Sequence, residues 1–457
     1  MKTISFIACS LFCIAVYSQD VKKWTLEECI QYAIDHNIDI KQKTLQKENA
    51  SIDLNTAKMS RLPDLNASVG QTWNAGVNQT LSGIYENQTN SNASLSISSS
   101  IPLFTGFKIP NQIEQNKLQL EAAVQSLEKA KDDLSLNIAS SFLNVLFNQE
   151  LLKVSEDQLA LSQSQIERTQ LLVDVGKVPQ SQLFDIKAQV AKDELSVVQS
   201  KNNLQLSLLD LAQSLELERT SDFDVAIPVL GDIVEDNIKS ILPPEQIYNN
   251  AVNFKPQIKE QELLVKSAQK SLGIARSGYY PSLNLNLGYG NAYLYDYTNE
   301  GKPYTAPDGT IRPWHNDSFR NQFKSNGGEY IGLSLNIPIF NRFAVRNQVK
   351  SARLNIDNQQ LTLDNTKKTL FKEIQTAYLN ATAAQAKYTS SVNAVIASQE
   401  AFKYAQEKYE VGKSSVFEFN DARTKLIQSL SEQIQAKYDF IFRSKILDFY
   451  NGLPIKL

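Results

Sequence analysis

Apolar and polar residues alternate along four short stretches of this chain, arranged in two pairs. The alternating apolar positions are Leu65, Ala67, Val69 and Trp73; Leu95, Ile97, Ile101 and Leu103; Leu283, Leu285, Leu287 and Tyr289; and Ile331, Leu333, Leu335, Ile337 and Ile339. A period of two over about ten residues is typical of a strand with one apolar and one polar face. We therefore predict strands at about 64–74, 93–104, 282–292 and 329–340.

Each pair of predicted strands is followed by a very long helical stretch. Neither Gly nor Pro occurs from Asn111 to Val175 or from Arg342 to Val411, and at about 1.5 Å per residue each helix extends for on the order of 100 Å. Apolar residues recur at every seventh position, as at Ile138, Val145, Leu152, Leu159, Ile166 and Val173. Because such a repeat makes helices supercoil around partners, we predict a coiled coil.

The two pairs of strands belong to two similar halves of the chain. Pro63 recurs as Pro281, an offset of 281 − 63 = 218, whereas Ile101 and its neighbours through 104 recur from Ile337, an offset of 337 − 101 = 236. The difference, 236 − 218 = 18 residues, indicates an insertion in a loop at about 291–328. We predict an internal duplication with a first repeat at 19–220, a linker at 221–243 and a second repeat at 244–457.

The N-terminus and the composition restrict the class of protein. Lys2 precedes an apolar run that ends at Tyr17, which predicts an export signal at 1–18. Elsewhere no stretch approaches the roughly eighteen apolar residues of a spanning helix. A formal charge of -3 without a basic stripe argues against nucleic-acid binding. Cys9 and Cys13 leave with the signal, so Cys29 has no partner for an internal disulfide.

Sequence patterns of catalytic and metal-binding sites are missing. The two histidines, His36 and His315, are 315 − 36 = 279 residues apart, and no cluster has the spacing of metal ligands. We find no P-loop, nucleophile elbow, zinc-protease or dinucleotide fingerprint. The sequence therefore predicts neither an enzyme nor a cofactor.

The number of strands bears on the oligomeric state. Four strands in one chain cannot close a barrel, and open strand edges cannot exist in lipid. Because the chain is exported and its strands have the alternation of outer-membrane strands, we predict that three copies close a barrel of twelve. Pro102 and Pro338 are expected to turn the chain from strand into helix. A soluble sandwich is disfavoured because four strands flanked by such long helices offer no second sheet.

Several segments resemble the TolC-like outer-membrane efflux family. The segment from Trp24 to Asn37 looks like its first-helix signature, 57–63 resembles its helix-to-strand entry, and 408–426 resembles its helical tip. The Ile-Pro-Leu-Phe and Ile-Pro-Ile-Phe segments are similar to its strand-to-helix exits. The resemblance implies an α+β outer-membrane protein of a Gram-negative bacterium. It would be a homotrimer with a 12-stranded β-barrel in the outer-membrane lipid and a long α-helical coiled-coil barrel through the periplasm.

The resemblance also implies a function and a first set of site residues. The family's members are exit ducts for inner-membrane exporters, which they reach through periplasmic adaptor (membrane fusion) proteins. The predicted adaptor-docking residues lie where the long helices reverse: Val175, Gly176, Lys177, Val411, Gly412 and Lys413. Each glycine also suits a helix C-cap in the left-handed region, and Pro179 suits an early helical position.

Three acidic residues after these turns form the second set: Asp185, Glu418 and Asp421. Glu418 and Asp421 share a helix face and match the family's acidic constriction, which implies a periplasmic gate that is closed at rest. Their first-half counterparts are Gln182 and Asp185, so one carboxylate is missing there. Three chains would gather six such carboxylates, or nine with Asp185, and crowding should raise some of their pKa values. Acids in a first helical turn also interact with the helix dipole, so both interpretations stay open.

The main functional prediction is a passive outer-membrane channel of a tripartite efflux or secretion system. The alternatives are a structural or adhesive envelope protein that does not conduct, and a soluble coiled-coil adaptor. Single-channel conductance distinguishes the first alternative from a channel, and outer-membrane fractionation distinguishes the second.

Overall fold

A computed structural model describes residues 23–79, 83–218, 223–228 and 241–456. The expected signal peptide and most of the predicted linker lie outside the described residues. The chain divides into two compact units, a helical unit within Met1–Leu45, Gln125–Lys259 and Asn365–Leu457, and a strand unit of Gln46–Val124 and Glu260–Asp364. Each unit contains segments from both sequence halves.

The order of helices and strands repeats along the chain. In chain order the elements are β1 (Lys23–Trp24), α1 (Leu26–His36), α2 (Ile38–Met59), β2 (Asn66–Gln79), β3 (Tyr85–Phe104), α3 (Lys108–Asp174), α4 (Gln180–Ser214), β4 (Asp224–Val225), α5 (Pro244–Phe254), α6 (Pro256–Ser277), β5 (Ser282–Asp296), β6 (Pro303–Thr305), β7 (Ile311–Pro313), α7 (Phe319–Ser325), β8 (Gly328–Asn336), α8 (Ala344–Glu410) and α9 (Val416–Tyr450). Both predicted long helices are present.

Corresponding helices of the two sequence halves have equal lengths. Helices α1 and α5 have 11 residues each, and α2 and α6 have 22. The long helices α3 and α8 have 67 residues each, and the returning helices α4 and α9 have 35. Among the described helices, none is long and apolar enough to cross a membrane.

The helical unit has a hydrophobic core in which α1 packs against the long helices. Thr25 begins α1 with a capping box: its hydroxyl accepts from the Glu28 N–H at 3.2 Å, and the Glu28 carboxylate accepts from the Thr25 N–H at 3.1 Å. Cys29, in the next turn, is fully buried beside Ile138 and Phe142 of α3. Burial raises the pKa of the Cys29 thiol to about 12. Cys29 is a free cysteine within the described residues.

The strand unit contains a four-stranded antiparallel sheet with the order β2-β3-β5-β8. All four predicted strands exist, but their predicted ends at 64–74, 93–104, 282–292 and 329–340 were partly wrong. Strands β2 and β3 continue as a hairpin as far as the pair Gln79 and Tyr85. The residues of this extension are mostly polar, so ladder hydrogen bonds rather than an apolar pattern define it. Strand β8 ends earlier than predicted, at Asn336, two residues before Pro338.

The predicted role of Pro102 was wrong. Pro102 lies within β3 and pairs with Asn284, and the ladder shifts register directly after it. Strand β2 pairs with β3 only as far as Ser98, so Pro102 lies where β3 has one neighbouring strand, a position that tolerates a missing N–H. The chain instead turns at Gly106 and Phe107, whose φ angles are +61° and +68°.

Replacing Gly106 with alanine is expected to destabilise the strand unit by at least about 2 kcal/mol. A Cβ at this position would lie 2.7 Å from the carbonyl oxygen of Ser277 and 2.8 Å from Cβ of Tyr280, at a positive φ. Thermal unfolding followed by β-sheet circular dichroism measures the effect. Gly76→Ala is the matched control, since its Cβ would meet nothing within 4 Å. Equal losses in both variants would contradict this account.

Candidate functional site

One face of the four-stranded sheet is apolar and exposed. Alternation along paired strands places its residues on the same side. Its most exposed members are Val69, Trp73 and Val77 on β2 and Ile331, Leu333 and Leu335 on β8. We call this surface the apolar face. Exposed apolar side chains that share one face of a sheet mark a contact with lipid or protein.

The opposite face of the sheet is polar, and its side chains hydrogen bond across the strands. The hydroxyls of Ser68 and Ser96 lie 2.7 Å apart. Asn74 donates to Asn90 at 3.1 Å, and Ser100 donates to Asn286 at 3.0 Å. Each strand therefore has one apolar and one polar face, as the alternating sequence predicted.

The two outer strands of the sheet have open edges. In the order β2-β3-β5-β8, the first and last strands each pair with one neighbour only within the described residues. The unpaired N–H and C=O groups along these edges require further partners in any environment without water. The described part of one chain does not supply those partners.

The predicted docking residues form two tight, exposed helix reversals. The Lys177 N–H donates to the Leu172 carbonyl at 2.8 Å, and the Lys413 N–H donates to the Lys408 carbonyl at the same distance. Gly176 and Gly412 have φ angles of +71° and +72°, and a Cβ on either would meet nothing within 4 Å. Val175 and Val411 are more than 60% exposed. Both predicted C-caps are therefore present.

The structure gives two of the three predicted gate acids a local partner. Glu418 closes a capping box with Ser415 at the start of α9, and its carboxylate also accepts from the Ser414 hydroxyl at 2.6 Å. Asp421, one turn later, accepts from Lys425 at 2.7 Å. Asp185 is exposed on α4, and no described hydrogen bond or ion pair joins it to the other two acids.

The pKa of Glu418 is lowered in the single chain, whereas crowding of carboxylates would raise it. Within one chain, the hydrogen bond from the Ser414 hydroxyl is the largest cause that holds the pKa of Glu418 below its ordinary value of 4.5. The Ser415 N–H acts in the same direction. The single chain therefore supports the capping interpretation locally, while a role in a trimeric gate stays a prediction.

Sequence reasoning missed a buried ion pair between Asp193 of α4 and Arg423 of α9. Arg423 donates to the Asp193 carboxylate and, at 3.3 Å, to the backbone carbonyl of Gln158 on α3. The Ser162 hydroxyl of α3 also donates to Asp193, at 2.5 Å. Both charged side chains are less than 10% exposed. A signal existed, because Asp193 falls on the apolar stripe of α4 between Val190 and Val197.

No group of His, Cys, Asp or Glu in the described part of the chain is arranged to hold a metal ion. The features that the structure does present are an exposed apolar face on a sheet with open edges, and long paired helices with exposed tips. These features are typical of an outer-membrane protein of mixed helix and strand structure.

A family model described as "Outer membrane efflux protein" matches residues 29–216 and 247–448. The chain therefore belongs to the outer membrane efflux protein family, which confirms the predicted resemblance. It is an outer-membrane protein of a Gram-negative bacterium with a large periplasmic portion. It belongs with efflux channels and not with enzymes.

Individual relatives and solved structures agree with this assignment. Outer membrane protein TolC of Escherichia coli (strain K12) is 23% identical over 420 residues, covering 91% of this chain and 80% of the relative. Cation efflux system protein CusC of the same strain is 24% identical over 272 residues, covering 58% of this chain and 55% of the relative. A crystal structure of CusC has a TM-score of 0.76 at 18% identity, covering 94% of this chain and 92% of that one. The Campylobacter jejuni CmeC outer membrane channel has a TM-score of 0.72 at 19% identity, covering 95% and 87%.

Proposed function

We propose that this protein is the exit duct of a tripartite efflux or secretion system. Three copies would close a twelve-stranded barrel in the outer membrane, continued by an α-helical barrel in the periplasm. The duct would conduct substrates passively, with energy supplied by an inner-membrane exporter that it meets through a periplasmic adaptor. We further infer that the two halves of the chain arose by duplication, since their corresponding helices have equal lengths.

The observation that carries this proposal is the four-stranded sheet with an apolar face and two open edges. In lipid, each edge must pair with another strand. Joining β8 of one copy to β2 of the next removes both edges, and the polar faces then line a water-filled lumen. Twelve strands in three chains meet this requirement with identical contacts between copies.

Single-channel conductance in a planar bilayer tests the proposal. We expect discrete conductance steps from a heat-resistant trimer isolated from outer membranes. An outer-membrane trimer without conductance would favour the structural or adhesive alternative. A protein found only in the soluble fraction would favour the coiled-coil adaptor.

We propose that the helix reversals at Gly176 and Gly412 contact the adaptor. Replacing Gly412 with tryptophan is expected to abolish efflux while trimer abundance stays normal, because the open space beside this residue would be filled. Gly412→Ala introduces the same strain at positive φ, about 1–2 kcal/mol, with little bulk and should retain most efflux. Minimum inhibitory concentrations and trimer immunoblots measure both effects. Equal loss in the two variants, or loss of the trimer, would favour the capping role alone.

We propose that the connection between β5 and β8, which contains the 18-residue insertion, faces the cell exterior. Outer-membrane barrels place their longer loops outside, and Asp308 lies exposed between β6 and β7. An epitope tag inserted after Asp308 should bind antibody on intact cells. The control is a tag inserted after Lys177, in the helix reversal that the proposed duct places in the periplasm. This tag should bind antibody only after lysis. Labelling of Asp308 only after lysis would refute the orientation.

A further inference from the structure

The connection between β5 and β8 carries a short helix, α7, that lies against the apolar face of the sheet. The ring of Phe319 contacts that of Tyr293, with centroids 5.3 Å apart. Asn291 donates to the Phe323 carbonyl at 2.6 Å. Tyr293 and Asn291 are both on the apolar side of β5, since Asn291 pairs with Leu95. Helix α7 therefore covers part of the apolar face near one end of the sheet.

Side-chain amides hold α7 in this position. Strand β8 begins at Gly328, opposite Gly290, so β5 extends beyond its neighbour. Along that extension Gln322 bonds to both backbone groups of Leu294, accepting from its N–H at 2.9 Å and donating to its carbonyl at 2.8 Å. Asn326 donates to the carbonyl of Ala292 at 2.7 Å. These amides replace the missing strand and fix the orientation of the helix.

The exposed surface of α7 combines two aromatic rings with two cations. Phe319 and Phe323 are stacked 5.5 Å apart and are 56% and 39% exposed. Arg320 and Lys324 are exposed, and neither has a hydrogen-bond or ion-pair partner among the described residues. Each pair has i, i+4 spacing, so both pairs lie side by side on the helix. This combination is typical of helices in the interfacial layer of a membrane.

We propose that α7 binds the phosphate groups of the outer-leaflet glycolipid, with Phe319 and Phe323 at the level of the headgroups and Arg320 and Lys324 on the phosphates. The inference rests on the proposed function, in which the apolar face meets lipid and this end of the sheet faces outside. Two adjacent cations beside an apolar surface complement a phosphorylated lipid in charge and polarity. Tyr293 of β5, whose ring contacts that of Phe319, adds a further aromatic ring at this level.

Binding of lipid A to the full-length protein in phosphatidylcholine nanodiscs tests the inference. Arg320→Gln/Lys324→Gln should weaken binding by roughly tenfold or more, since each cation contributes about 1 kcal/mol at an anionic surface. The matched control is Lys302→Gln/Arg312→Gln, which removes the same charge from the β6 and β7 region of the same connection and should change binding less than about threefold. Phosphatidylglycerol replaces lipid A in a parallel titration.

Each outcome has a distinct meaning. Equal affinities in the two double variants, or equal binding to phosphatidylglycerol, would overturn the proposed glycolipid site. Loss of the trimer in Phe319→Ser/Phe323→Ser would also overturn it, because the aromatic pair would then pack on a neighbouring copy. Planar-bilayer conductance of the same proteins distinguishes failure of this inference from failure of the proposed function. A protein that conducts but does not bind lipid A would contradict only the glycolipid site. A protein that does not conduct would contradict the proposed duct and the inference that rests on it.

Discussion

Replacing Arg423 with methionine is expected to destabilise the helices around it by about 3–5 kcal/mol. The substitution leaves the Asp193 carboxylate buried with only the Ser162 hydroxyl and Gln189 amide as partners, at 2.5 and 3.0 Å. An unpaired buried charge costs far more than the loss of one contact. Hydrogen exchange of the amides of α4 around Asp193 should accelerate by roughly a hundredfold or more, the equivalent of about 3 kcal/mol.

Two controls separate the buried charge from a general effect of losing an arginine. Arg443 pairs with Asp439 on the same helix, at 3.1 Å, with both side chains about one-third exposed, so Arg443→Met should change exchange only slightly. The double variant Asp193→Leu/Arg423→Met removes both charges and should recover most of the stability. A double variant as unstable as Arg423→Met alone would contradict the account. Equal effects at Arg423 and Arg443 would contradict it as well.

In the proposed trimeric channel, neutralising Glu418 and Asp421 together is expected to remove a preference for cations. In a trimer these positions would place six carboxylates around one axis, and a focused cluster enriches cations locally by roughly tenfold or more. The Glu418→Gln/Asp421→Asn variant should therefore show a cation-to-anion permeability ratio near one in bilayer recordings. Glu432→Gln/Asp439→Asn removes the same charge from α9 several turns away and serves as the control. An unchanged preference in the first variant would show that these acids do not line the pore.

The pH dependence of this preference distinguishes the two influences on Glu418. A hydrogen bond from Ser414 lowers the pKa of Glu418 from 4.5, so the carboxylate stays charged as pH falls through the ordinary range and is neutralised only below it. The stabilisation that this cap gives α9 follows the same sign: it is present above the ordinary pKa and is lost as pH falls through the lowered one. Crowding in a trimer acts in the opposite direction. The pH at which half of the cation preference is lost decides between them. A value below 4.5 that rises in the Ser414→Ala variant would identify the hydrogen bond as the dominant influence, and a value above 4.5 would identify crowding.

Local patterns in the sequence predicted most of the secondary structure. The strands were found because alternation reports directly which side of a strand is apolar. The long helices were found because neither Gly nor Pro occurs from Asn111 to Val175 or from Arg342 to Val411. The helix reversals were found because glycine adopts the left-handed conformation at low cost. Strand ends were less accurate. The β3 side of the outer hairpin, residues 85–92, has no apolar period, and its extent depends on pairing with β2.

The sequence by itself thus determined the family, the four strands, the long helices and their tips, because each depends on residues that are close along the chain. The tertiary structure decided which distant residues meet. Arg423 and Asp193 are 230 residues apart, and nothing near either one specifies the other. The amides that attach α7 to β5 likewise act across about thirty positions. Such contacts follow from the packing of whole elements, since a buried polar group takes whichever partner the fold brings within reach.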